Sequence, residues 1–279
     1  MPTSQTGPRD APGGADLAAR HAAELAQIGP FFAVNVHPAG QPLADPWRPL
    51  SSLLDSPDDL RQRIAEVRGA LAADRPPGAV EFRVAASVTH LGVAARLISP
   101  VLGTAVLFGW VPRMDPAQVA WQPELGGPLP LSVPASALAQ RGDQPGSRQP
   151  GEEQSGDRQL ASELRRSLLL GPVRALTGIT AAMSVSPIVL QGNIASAVNA
   201  AAAMIATARP DLAGQAATLR NGLLSAPELA GTWTSGAAGF RRRSCCLIYR
   251  AAAAPPASAT SAVCGDCVLH TALPPPRSG

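Results

Sequence analysis

Cysteine is scarce in this 279-residue chain, lysine is absent, and aromatic residues make up only 4% of it. Each scarcity narrows what the protein can be. All 23 basic residues are arginine, a uniformity that points to compositional bias rather than to a binding device. No basic run is interleaved with aromatics, so nucleic acid is not an expected partner. No glycine-rich phosphate loop or G-x-G-x-x-G follows a strand-like run, which argues against a nucleotide or nicotinamide cofactor. Hydrolytic chemistry is not expected either, because no Ser/His/Asp or Cys/His arrangement is recognisable. Met1 to Asp10 lack the basic start and apolar core of a secretory signal, so the expected compartment is the reducing cytoplasm.

The four cysteines all fall near the end of the chain, as Cys245-Cys246 and Cys264-Gly265-Asp266-Cys267. Such crowding suggests one metal centre. A C-x2-C pair brings two thiolates to one side of a tight turn, and the adjacent pair supplies two more, the four sulfurs that a [2Fe–2S] cluster needs. Two other readings stand beside it. Neighbouring Cα atoms lie only about 3.8 Å apart, below the usual disulfide span of about 4.4–6.8 Å, so a Cys245–Cys246 bridge is strained. Crossed bridges to Cys264 and Cys267 fit geometrically but need an oxidising compartment. All-cysteine structural zinc prefers two C-x2-4-C knuckles, and only one is present.

Segment Phe240-Arg241-Arg242-Arg243-Ser244-Cys245-Cys246-Leu247-Ile248-Tyr249-Arg250, followed by Cys264-Gly265-Asp266-Cys267-Val268-Leu269, resembles the C-terminal signature of the FhuF-type ferric-siderophore reductases. The resemblance implies a [2Fe–2S] cluster held by Cys245, Cys246, Cys264 and Cys267. Looser landmarks follow in the same order: Gly29 to Val34, Val88 to Gly92, Gly126 to Leu131 and Gln191 to Ala197. The likeness thus covers most of residues 15–270. Two departures stand out: Gln191 occupies a position where the family often has Trp, and seventeen residues separate the cysteine pairs. The longer loop costs little. Closing it takes on the order of 2.5 kcal/mol, against about 10 kcal/mol or more from thiolate–metal binding in small sites.

The expected fold is mainly α (α+β): a helical body with a small β-hairpin and a C-terminal cluster-binding segment. Residues 1–13 are read as disordered, 14–133 as an N-terminal subdomain, 134–159 as a flexible linker, and 160–279 as a C-terminal helical subdomain carrying the cluster segment 240–269. Ser56-Pro57-Asp58-Asp59 starts a helix over 57–73. Residues 31–36 read as a short strand. A buried helix spans 81–98, limited by Pro100, with a second segment to Gly109. Val119 and Trp121 face Leu129, Leu131 and Val133 as a hairpin turned at 124–127. Helices are expected at 160–170, 174–183, 187–207 and 211–224. Residues 175–208 carry no charge, yet Gln191, Asn193, Asn199 and Pro187 interrupt them, so buried helices are expected rather than a membrane span.

Basic character belongs to the cysteine-bearing half, where residues 160–279 hold ten Arg against four acids, a balance of +6. Residues 1–159 hold thirteen against sixteen, or −3. Arg241, Arg242 and Arg243 are candidates for docking an anionic chelate or an acidic donor, and for offsetting cluster charge. His21, His37, His90 and His270 share no metal-ligand spacing and are read as structural, with His90 as a buried hydrogen-bonding or pocket-lining residue. The resemblance implies an oxidoreductase that reduces an Fe(III)–siderophore substrate to release Fe(II), with electrons from a ferredoxin or flavin-reductase type donor. The expected location is cytoplasmic, with peripheral association at the inner face of a membrane left open. The alternatives are a non-enzymatic siderophore-binding or iron-trafficking module with structural zinc, and a bare ferredoxin-like carrier.

Overall fold

Ser56 caps a helix by accepting from the Asp59 amide at 3.2 Å, and Pro57 supplies a first residue that has no N–H to waste. In the computed structural model of the protein this helix, α3, spans Pro57–Ala72, as its sequence predicts. The structure describes residues 12–41, 43–140, 150–236, 239–252 and 263–271. The expected disorder at the N-terminus falls mostly on residues outside that range. The remaining helices are α1 (Pro12–Ile28), α2 (Ser51–Asp55), α4 (Phe82–Phe108), α5 (Ala135–Leu138), α6 (Pro150–Leu164), α7 (Pro172–Ala181), α8 (Pro187–Ala208) and α9 (Ala213–Leu224). At 62% helix and 8% strand, the protein is mainly α with a small β element.

Helices α4 and α8 form the axis of the body and pack against each other. Pro100 does not end α4, contrary to the expected stop; the helix runs through it to Phe108 and closes on Gly109 in the left-handed region (φ 76°). An interior proline costs about 3 kcal/mol. Burial of every residue from Arg96 to Leu107 offsets that cost. Gly103 lets α1 and the 29–34 turn come close: a Cβ there would lie 2.8 Å from Leu25 Cδ2 and 2.9 Å from Phe32 Cδ1. Both α4 and α8 are long and apolar enough to cross a membrane by length and composition, but 78% and 56% of their most apolar stretches are buried inside the body.

Strands β1 (Asn35–His37), β2 (Arg48–Pro49), β3 (Ala120–Trp121) and β4 (Leu131–Pro134) form one sheet in the order β1-β4-β3-β2. The expected hairpin is its centre, with Trp121 opposite Leu131. The strand expected from residue 31 begins only at Asn35, because Gly29–Phe32 turns first, Phe32 N donating to Gly29 O at 2.9 Å. Arg96, buried in α4, fixes this turn. Its guanidinium donates to the carbonyls of Pro30, Phe31 and Ala33, and its Nε to Leu129 O at 2.6 Å. Burial lowers its pKa to about 10, so it stays charged, and the four carbonyls serve as its solvation shell.

Of the expected linker 134–159, residues 141–149 lie outside the described residues, and the described parts on either side pack on the body. Val133, Ala137 and Leu138 are buried, α5 packs on α1, and α6 begins at Pro150. One apolar cluster runs from Ala18 through Leu97 and Trp121 to Leu164, Val198 and Leu229.

Candidate metal centre

Strands β5 (Trp233–Gly236) and β6 (Gly239–Arg242) make a hairpin that the sequence reading missed. Trp233 and Phe240 stack across it with centroids 5.8 Å apart. β6 leads directly into Ser244-Cys245-Cys246, and its outer edge meets the second cysteine turn, Arg242 N donating to Asp266 O at 3.0 Å. The C-x2-C turn closes on itself through Cys267 N to Cys264 O at 2.9 Å. Adjacent side chains on an extended chain point to opposite faces, so two neighbouring thiols need a bend to share a site. Leu247 provides it, at φ 69°, and its amide donates to Cys245 Sγ at 3.3 Å.

The four sulfurs meet as two pairs, Cys246 Sγ with Cys264 Sγ at 3.1 Å and Cys245 Sγ with Cys267 Sγ at 3.6 Å. No disulfide links them. Four thiolates about 2.3 Å from a tetrahedral metal are separated by about 3.8 Å, so the wider pair already approximates such an edge and the tighter one opens to reach it. Each pair joins one cysteine of the adjacent doublet to one of the C-x2-C turn. Each also combines a fully buried sulfur residue, Cys246 or Cys267, with a half-buried one, Cys264 or Cys245. Among the described residues, no three or more His, Cys, Asp or Glu side chains are grouped to hold a single ion. The Cys245 and Cys246 sulfurs also interact with each other, so the two pairs adjoin within one sulfur-lined site.

A buried polar network holds the doublet from behind. Ser87 on α4 donates to Cys246 O at 2.9 Å, and Asn193 on α8 donates to Ser87 O and Oγ at 3.1 Å each. Arg242, 1% exposed, donates through Nη1 to Asn193 Oδ1 at 3.1 Å and pairs through Nη2 with Asp266 Oδ1 at 3.1 Å. Gly192 permits the arrangement, since a Cβ there would come 2.2 Å from Ser244 Oγ, which donates to Ile188 O. The Gln191-Gly192-Asn193 landmark therefore serves the cysteine segment directly, as does the turn of α4 just before Val88.

Charge follows this geometry. Sulfur hydrogen bonds from Cys245 and Cys264 hold the Cys246 thiol far below the usual thiol range, and the Arg242 charge helps. The same bonds push Cys245 and Cys264 up, since those thiols keep the protons they donate. Burial opposes the charge on Arg242, but Asp266 and the sulfurs of Cys246 and Cys264 outweigh it, raising its pKa.

The three arginines do not form one docking face, and this corrects the sequence reading. Strand alternation buries Arg242, leaves Arg241 half-buried with Nη1 donating to Cys267 O at 3.3 Å, and exposes Arg243. Arg250 pairs with Glu81 at 2.5 Å. His90 is buried as expected; its Nε2 faces Thr177 Oγ1 at 3.2 Å, whose own proton goes to Val173 O, so Nε2 carries the hydrogen. Burial lowers the His90 pKa to about 3. His21 and His37 pair with Leu138 O and Ser132 Oγ, both at 2.8 Å. A cleft of about 590 Å³ lined by Arg113, Asp115, Gln118 and Ser167 contains no cysteine. No protein-family model, curated protein or solved structure matches this chain.

Proposed function

We propose that the protein is a [2Fe–2S] ferric-siderophore reductase of the FhuF type. The observation that supports the reading is the assembly of four free thiols at one site, backed by a buried arginine whose charge lies beside Cys246 and Cys264. Cys245, Cys246, Cys264 and Cys267 hold the cluster, which supplies one electron at a time when bound. The residues around it do the rest. Ser87 and Asn193 fix the backbone of the doublet, and Arg242 places a positive charge behind four anionic sulfurs. Cys245 and Cys264, half-buried, bring one sulfur of each pair toward the surface, where a chelate docks within electron-transfer reach. Siderophores bind Fe(III) through hard oxygen donors that hold Fe(II) far less well, so one electron per iron releases the metal. That electron enters from an external donor of ferredoxin or flavin-reductase type. Arg243, exposed beside the doublet, favours anionic chelates or an acidic donor.

Anaerobically purified protein is expected to be red-brown, with about two irons and two sulfides per chain. Its reduced form is expected to be reoxidised by ferric siderophores while a chelator captures Fe(II). Stoichiometric zinc without iron refutes the cluster, and a reduced protein inert to a broad panel of ferric chelates refutes the reductase.

A further inference from the structure

The geometry points to Arg242 as the residue that sets the reduction potential of the centre, through an ion pair with Asp266 buried against Cys246 and Cys264. This rests on the proposed cluster but goes beyond it, because it separates one arginine of the triplet from its neighbours and gives Asp266 an opposing role.

Three observations carry it. Arg242 is 1% exposed, so solvent and salt do not screen its charge as they screen Arg243. Its position is fixed on three sides, by the backbone bond to Asp266 O at 3.0 Å, by Asn193 Oδ1 at 3.1 Å and by Asp266 Oδ1 at 3.1 Å. Its guanidinium, with Nη2 3.1 Å from Asp266 Oδ1, also lies within hydrogen-bonding and Coulombic reach of the sulfurs of Cys246 and Cys264. Such N–H groups facing sulfur ligands are the arrangement that raises a cluster's potential, since hydrogen bonds and positive charge both favour the more negative reduced state. Asp266 lies inside the C-x2-C turn and pairs with the same guanidinium, so its carboxylate draws the opposite way. Arg242 and Asp266 thus act as opposed settings on one centre. Both are redox-tuning residues and carry no electron themselves.

The test compares Arg242→Gln, Arg242→Lys, Asp266→Asn and Arg243→Gln in the full chain with its iron loaded, reading the midpoint potential by visible and EPR titration at low and high salt. Arg242→Gln is expected to lower the potential by at least ~59 mV, a tenfold change in a one-electron equilibrium, and the shift should persist in high salt. Asp266→Asn is expected to raise the potential. Arg242→Lys should retain most of the wild-type value, and any Arg243→Gln shift should vanish in high salt. Equal shifts from Arg242→Gln and Arg243→Gln overturn the inference. If Arg242→Gln does not fold, Asp266→Asn decides, and an unmoved or lowered potential there overturns it. Loaded wild type with unmoved variants refutes this inference alone; iron-free wild type refutes the cluster with it.

Discussion

Gly192 shows how one missing methyl group governs the centre. A glycine inside a helix costs about 1 kcal/mol relative to alanine, yet here a Cβ would strike Ser244 Oγ at 2.2 Å, one residue before the cysteine doublet. Gly192→Ala is therefore expected to leave the helical signal intact while speeding iron loss to a chelator at least ~10-fold, the size of a displacement worth about 1.4 kcal/mol. Gly69 on α3 is the control. A Cβ there meets nothing within 4 Å, so Gly69→Ala should add about 0.5–1 kcal/mol of stability in denaturant titration and leave iron retention unchanged. The cysteines were legible in the sequence because crowding in so cysteine-poor a chain is visible without a structure. Ser87 and Asn193 were not, since their role comes from partners far along the chain, Cys246 and Arg242. Asp266 lies within the C-x2-C motif, but nothing in its spacing shows that it faces Arg242.

At the scale of elements, local signals held where they were strong and failed where packing decided. The cap at Ser56 and the hairpin around 124–127 formed as read. Pro100 and α5 did not obey their local signals. In α5, Leu138 is buried and its carbonyl accepts from His21, which itself lies against Phe108 with ring centroids 4.0 Å apart. Leu138→Ala is expected to destabilise the protein by roughly 2–4 kcal/mol through the cavity it leaves, measured by urea unfolding. A linker residue would show no change. The β5–β6 hairpin escaped notice for a different reason: Gly, Ser, Thr and Arg fill it, and only Trp233 and Phe240 give it an apolar face.

Across the whole molecule, residues from both halves of the chain share one core, and the cysteine segment is laid against α4 and α8 from opposite parts of the sequence. A second apolar patch, Ala72, Val80, Val84 and Ala251, fastens the chain just past the doublet to α3 and α4, where Arg75 also reaches Ala251 O at 2.5 Å. The cysteine doublet is therefore anchored to the helical body on both sides. Stripping metal with a chelator is expected to leave the far-UV circular dichroism nearly unchanged, unlike small zinc domains that unfold when demetallated. Loss of half the helical signal would refute this. Ser87, through its bond to Cys246 O, and Asn193 and Arg242 behind it fix the backbone of the doublet, so binding the proposed cluster would require little ordering of the chain there. Under the proposed function, a cell short of iron could then hold folded molecules that take up iron and sulfide as these arrive, with no new round of synthesis.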